Sequence, residues 1–95
     1  MAFYTVTYDL NKVKDYEKIK MGIQTASSNR YVKVTLSQYV IQSSEKAGKI
    51  IDILRQYSDA DDSIMVLKLD ISDWSYINLP QNVGDWLNKA TVVGN

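Results

Sequence analysis

Between residues 3 and 10 the chain reads FYTVTYDL, with Tyr4, Val6, Tyr8 and Leu10 on one parity and Phe3, Thr5, Thr7 and Asp9 on the other. Period-two alternation of β-branched and aromatic side chains predicts a strand. Val13, Tyr16, Ile19, Ile23 and Ala26 then recur every three or four residues, the stripe of an amphipathic helix laid over one face of a sheet. Ser27, Ser28 and Asn29 end that helix, because their short polar side chains compete for backbone hydrogen bonds and favour turns. The next strand is expected over about residues 30–42. Val32, Val34 and Leu36 share one parity, but the apolar positions then move to Tyr39 and Ile41, so a β-bulge or sharp bend is expected near Ser37 and Gln38.

Ser43 or Ser44 is placed to cap a second helix, whose stripe is Ala47, Ile50, Ile51, Leu54 and Tyr57. The cluster SDADDS at 58–63 reads as a turn, and SIMVLKLDI after it carries apolar residues on both parities, the pattern of a central strand covered on both faces. Trp74 and Tyr76, or Ile77 and Leu79, suggest a short edge strand between Ser72 and Leu79. Pro80 stops it and suits a helix start, with Val83, Trp86, Leu87 and Ala90 spaced to dock a final helical turn or two before a frayed end at Thr91 to Asn95. Neither a repeat nor a linker divides the chain, so residues 1–95 are read as a single domain.

The order β-α-β-β-α-β followed by a short helix, joined by right-handed crossovers, predicts an α+β fold: a ferredoxin-like split sandwich. It would have two parallel central strands, two edge strands and both long helices on one face. The other face would be bare, and tyrosines and aliphatic residues on a bare face are most simply buried against a second copy of the chain, giving a homodimer. Trp74 and Trp86 are expected to anchor the C-terminal segment on its own chain or on the partner.

Composition narrows the chemistry. Eleven acidic residues balance eleven basic ones, and 45% of residues are hydrophobic, which is a folding composition rather than a disordered one. A chain this short buries only about 60–65% of its unfolded surface, so help from a partner fits its size. With no cysteine and no histidine, disulfides, thiolate metal sites, cysteine nucleophiles and the commonest general base are all excluded. Any chemistry must rest on carboxylates, hydroxyls, lysines, backbone groups or a hard cation. No run approaches the ~20 apolar residues of a membrane span, and the opening residues lack the order of a signal peptide, so a cytoplasmic protein without membrane contact is expected. Charge is uneven along the chain: Lys12, Lys14, Lys18, Lys20, Arg30 and Lys33 make the first third basic, whereas Asp59, Asp61, Asp62, Asp70 and Asp73 make residues 59–73 acidic. A basic end could meet phosphates; two solvated faces of opposite sign account for the same pattern.

Asp9 is the most pointed position, since a carboxylate at the end of the first strand emerges at the sheet rim. The run TYDL at 7–10, the helix after it, the strand carrying Ser37-Gln-Tyr39 and the acidic turn of the second half together resemble the small CRISPR-associated adaptation nuclease family, Cas-two. The TYDLNK opening at 7–12 and the closing DWL at 85–87 are similar to its stand-alone SinR-like relatives, and VapD-like ribonucleases share the architecture. The resemblance implies a homodimer in which Asp9 of each chain faces its twin and the pair holds Mg²⁺ or Mn²⁺, activating water against an RNA or DNA phosphodiester. Ser37 and Tyr39 then match the family's Ser-x-aromatic segment, and Lys12 and Lys14 stand as phosphate contacts. The chain departs from the family in its arginines, offering only Arg30 and Arg55.

Other readings stay open beside this one. Asp9 can instead cap the turn that follows it. A catalytically silent dimeric module that engages another protein, or a nucleotide sensor at the dimer cleft, would use the same assembly. Asp59, Asp61 and Asp62 lack the spaced ligands, the glycine and the distal glutamate of a calcium loop and read as a solvated turn. Tyr4, Tyr8, Tyr31 and Tyr39 could form a base-stacking platform, but without the basic and glycine-flanked motif of RNA-binding sheets, dimer packing is the better account of them.

Overall fold

A computed structural model describes residues 1–10 and 16–93, with side chains to residue 90. In chain order its elements are β1 (Ala2–Asp9), α1 (Tyr16–Ser27), β2 (Tyr31–Thr35), β3 (Gln38–Ser43), α2 (Ala47–Arg55), β4 (Ser63–Leu69) and α3 (Gln81–Val93). The fold is α+β, a four-stranded sheet in the order β2-β3-β1-β4 with three helices among the described residues, and it is compatible with a ferredoxin-like arrangement.

Every strand pairing is antiparallel, so the expected parallel central strands are replaced by an antiparallel β1–β3 pair. The reason lies in residues 30–42. They form a hairpin, β2 and β3, that turns at Leu36 and Ser37, and the returning strand slots between β2 and β1. Of the bulge or sharp bend expected near Ser37 and Gln38, it is a bend that forms, sharp enough to reverse the chain; the register irregularity sits earlier, between Lys33 and Thr35. Strand β4 lies at the sheet edge, not at its centre. Nor does a strand form between Ser72 and Leu79, where the chain runs irregularly and Trp74 stacks on Tyr76 at 6.1 Å.

Alternation along β1 supplies two separate cores. Tyr4, Val6 and Tyr8 join Tyr39 and Ile41 of β3 beneath Ile19, Ile23, Ile50 and Leu54 of α1 and α2. The two helices approach closely at Gly22, where a Cβ would stand 3.0 Å from Leu54 Cδ2 and from Tyr57 Cδ2. On the opposite face Phe3, Val32 and Val40 meet Val83, Leu87 and Ala90 of α3. The face expected to be bare is therefore partly covered by the chain's own last helix, which runs for 13 residues rather than a turn or two. Trp86 packs edge-on against Phe3 at 6.2 Å, anchoring α3 on the sheet.

The second helix starts without the expected serine cap: Lys46 holds the N-cap position and makes no side-chain bond there. Ser43 instead ends β3, its hydroxyl donating to the Ala26 carbonyl at 2.8 Å and accepting the Glu45 N–H at 3.1 Å. It ties the end of α1 to the approach of α2. Among the described residues no helix is long and apolar enough to cross a membrane.

Leu54 is fully buried where α1, α2 and the sheet meet. Leu54→Ala is expected to cost about 2–5 kcal/mol, as for other leucines truncated in closed cores, and a lowered urea midpoint with an unchanged slope is the check.

Candidate functional site

The sheet rim at the end of β1 gathers several of the residues singled out by the sequence. Asp9 is exposed and lies opposite Ser63, the first residue of β4. Ser37, in the hairpin turn, accepts the Tyr8 N–H at 3.0 Å through its carbonyl, which sets it one strand away from Asp9. Thr7, Ser63 and Met65 line a shallow, open depression around Asp9. Period-two alternation puts the Asp9 side chain on the same face as Thr7, Thr5 and their β4 partners Met65 and Leu67. Those two side chains are 56% and 53% exposed, so a carboxylate stands at the end of an apolar strip that α3 does not cover.

Tyr39 is not at this rim. It is 2% exposed, in the core under α1. Lys12 and Lys14 lie outside the described residues.

Asp59, Asp61 and Asp62 belong to the turn that leads into Ser63, at the same end of the sheet. Their carboxylate oxygens lie within 4.8 Å of one another, a spacing at which three carboxylates could hold a metal ion. One oxygen of Asp62 accepts the Asp59 N–H at 2.8 Å, the bond of a self-capped turn. Among the described residues this is the group of three acids with such spacing, and Asp9 is not part of it. Farther along, the exposed Asp70 accepts the Ser72 N–H at 2.9 Å, which holds its carboxyl below the usual range.

Tyrosines expected on an open face are found under the helices, because their parity on β1 is that of Val6. Tyr8, Tyr39 and Tyr31 make a diagonal ladder across β1, β3 and β2, with ring centroids 6.1 Å and 5.8 Å apart. Packing within the protomer, rather than packing between copies, accounts for Tyr4, Tyr8 and Tyr39. The Tyr4 and Tyr8 hydroxyls donate to the Glu45 and Leu36 carbonyls at 2.8 Å and 2.7 Å, so the phenols pin the loop before α2 and the hairpin turn beside Asp9.

Comparison with protein-family models and with curated proteins gives no match for the chain.

A larger concavity lies at the other edge of the sheet and was not evident from the sequence. It is a cleft of about 500 Å³ around the edge strand β2, with α1 on one side and α3 on the other. Asn82, Asp85, Trp86 and Lys89 of α3 line it, and their spacing of three and four residues is the signal that marks them as one helix face.

Burial pushes the Tyr8 and Tyr39 hydroxyls up from their ordinary value, reinforced by Tyr39 and Tyr16 around Tyr8 and by Tyr31 and Glu17 around Tyr39. A raised folded-state value means that the unfolded chain loses these protons first, so stability from this source is complete below pH 10.0, the ordinary tyrosine value, and drains away as pH rises beyond it. Stability measured by urea unfolding is expected to fall above that pH. Tyr8→Phe should cost about 0.5–1.5 kcal/mol at neutral pH through the lost Leu36 bond, yet flatten the alkaline decline; an unchanged slope would refute the assignment.

Proposed function

We propose that the chain works as a Cas-two-like homodimeric interaction module of ferredoxin-like protomers, assembled through the β4 half of its sheet. The observation that carries this reading is the contrast between the two sheet edges. Strand β2 has five residues, an irregular register and Lys33, the features by which proteins protect an edge from pairing. Strand β4 has seven residues in unbroken register with β1, and although it too carries an exposed lysine, Lys68, near its end, its stretch from Ile64 to Leu67 is uncharged and presents Met65 and Leu67 to solvent. A long, regular edge with an apolar stretch of this kind is a site for association with a second copy. Balanced net charge suits a protein partner for the assembled dimer, since affinity for nucleic acid is mostly electrostatic.

A second reading, a metal-dependent nuclease acting on RNA or DNA, is favoured by the placement of Asp9 on the same face as the apolar strip. The manner of assembly separates the two. Edge-to-edge pairing of β4 with its copy keeps the two Asp9 backbones at least three strand spacings apart, about 14 Å in any register, and on the order of 25 Å if the axis passes through Val66. One Mg²⁺ or Mn²⁺, with ligand distances of about 2.1 Å, cannot be shared across such a gap. Face-to-face packing of the open halves turns both carboxylates into one interface, and only then does a paired metal site become possible.

Leu67→Arg is expected to convert the dimer to monomer in analytical ultracentrifugation while the fold persists by circular dichroism. A wild-type chain that sediments as a monomer at micromolar concentration would overturn the assembly. Asp9→Cys then reports the mode: the module reading expects no disulfide between copies on oxidation and no Mg²⁺- or Mn²⁺-dependent cleavage by the wild type. A rapid disulfide, together with cleavage abolished in Asp9→Ala, would install the nuclease reading instead.

A further inference from the structure

The cleft at the β2 edge holds more than the single lysine, Lys33, that protects the edge from pairing. Its lining is aromatic on both sides of β2: half-buried Tyr16 and Tyr31 over the buried Tyr39 on the α1 side, and half-buried Trp86 on the α3 side. These rings are held in place before any ligand arrives. Tyr31 packs 5.8 Å from Tyr39 and accepts the Gln24 Nε2–H at 3.1 Å, and Trp86 is fixed edge-on to Phe3. Around the mouth stand Lys20 of α1, Lys33 of β2 and Lys89 of α3, brought together from three elements. All three are exposed, and none of them is held in an ion pair among the described residues.

We propose that this cleft is a binding site for a nucleoside monophosphate, with its phosphate among Lys20, Lys33 and Lys89 and its base against the half-buried Tyr16 and Tyr31 rings on the α1 side. Lysine ammonium groups bind phosphate as point charges that reorient freely, and every nucleobase offers a flat face to an aromatic ring. The volume lies within the range of small-molecule sites, roughly 300–1,000 Å³. Glu17 and Asp85 share the lining and supply acceptors for a ribose hydroxyl or a base amino group. The same two carboxylates keep the cleft from becoming strongly basic, which selects a small anion over a nucleic acid strand. An extended peptide added to β2 is the other conceivable occupant, and the short strand, its irregular register after Lys33 and the lysine itself all oppose it. The site is complete within one protomer and does not depend on the dimer.

Isothermal titration of the full chain with adenosine, guanosine, cytidine and uridine monophosphates, alongside adenosine and inorganic phosphate, tests the proposal. At least one mononucleotide is expected to bind saturably and more tightly than phosphate or adenosine alone. Lys33→Gln and Lys89→Gln, both at exposed positions, should each weaken that binding about tenfold while melting unchanged. Leu67→Arg should bind as the wild type does, which separates failure of this site from failure of the dimer. Absence of saturable binding by all four mononucleotides would overturn the proposal. So would binding no tighter than that of phosphate, affinity untouched by both lysine variants, or affinity lost in Leu67→Arg.

Discussion

Val6 has no exposed surface, and the strand that carries it is the one to which both β3 and β4 are hydrogen-bonded. Burial of β1 on both faces is the constraint from which the rest of the structure follows. One face of the strand needs α1 and α2, the other needs α3, and a slip of one residue in either pairing would exchange Val6 for a threonine in the larger core. The second face is made of Phe3, Thr5 and Thr7, apolar enough to bury but with hydroxyls to satisfy. Thr5 is buried there, and its hydroxyl accepts the Gln38 Nε2–H at 3.0 Å. A side chain from the neighbouring strand thus satisfies the buried hydroxyl of this face, while Thr7 and Asp9 beyond it reach solvent.

Local periodicity made β1, α1 and α2 legible, because each carries its stripe within one continuous run. It failed where two structures share one pattern. The parity change between Leu36 and Tyr39 is satisfied equally by a bulge and by a reversal, and LSQ contains none of the glycine, proline or asparagine that would have marked a tight turn. Apolar residues on both parities of β4 suggested cover on both sides; Ile64 and Val66 are indeed packed, but Met65 and Leu67 are apolar on a face that the protomer leaves open. The length of α3 was understated because its stripe of Val83, Trp86, Leu87 and Ala90 spans little more than two turns. The aspartate at the rim was legible as a strand end. The lysine-bordered cleft was not, since Lys20, Lys33 and Lys89 come from three elements that only the fold brings together.

The chain leaves β4 at the sheet edge and must return across the second face to cover β2 and β3. Residues 70–80 make that crossing, with Ile71, Trp74 and Leu79 set against the α3 core, and Gly84 lets α3 come close to the Tyr76 ring on its way past. Crossing in this direction covers half of the face and leaves the half nearest β4 recessed by the thickness of a helix, about 10 Å. A half-covered face is a step, and a step is self-complementary under a two-fold axis: the helix of one copy can fill the recess of the other. Edge pairing of β4 about Val66 would satisfy unpaired backbone groups and set Leu67 beside Met65 of the copy, but leave the rest of that recess wet, whereas interlocked steps would bury Met65 and Leu67 under a helix and leave the edge unpaired. The two gains cannot be had together at one interface. In the proposed dimer the same choice would settle whether Asp9 lies in a shared cleft or stands alone in solvent, so the chemistry open to such a dimer would be decided by which part of β4, its edge or its face, is the costlier to leave uncovered.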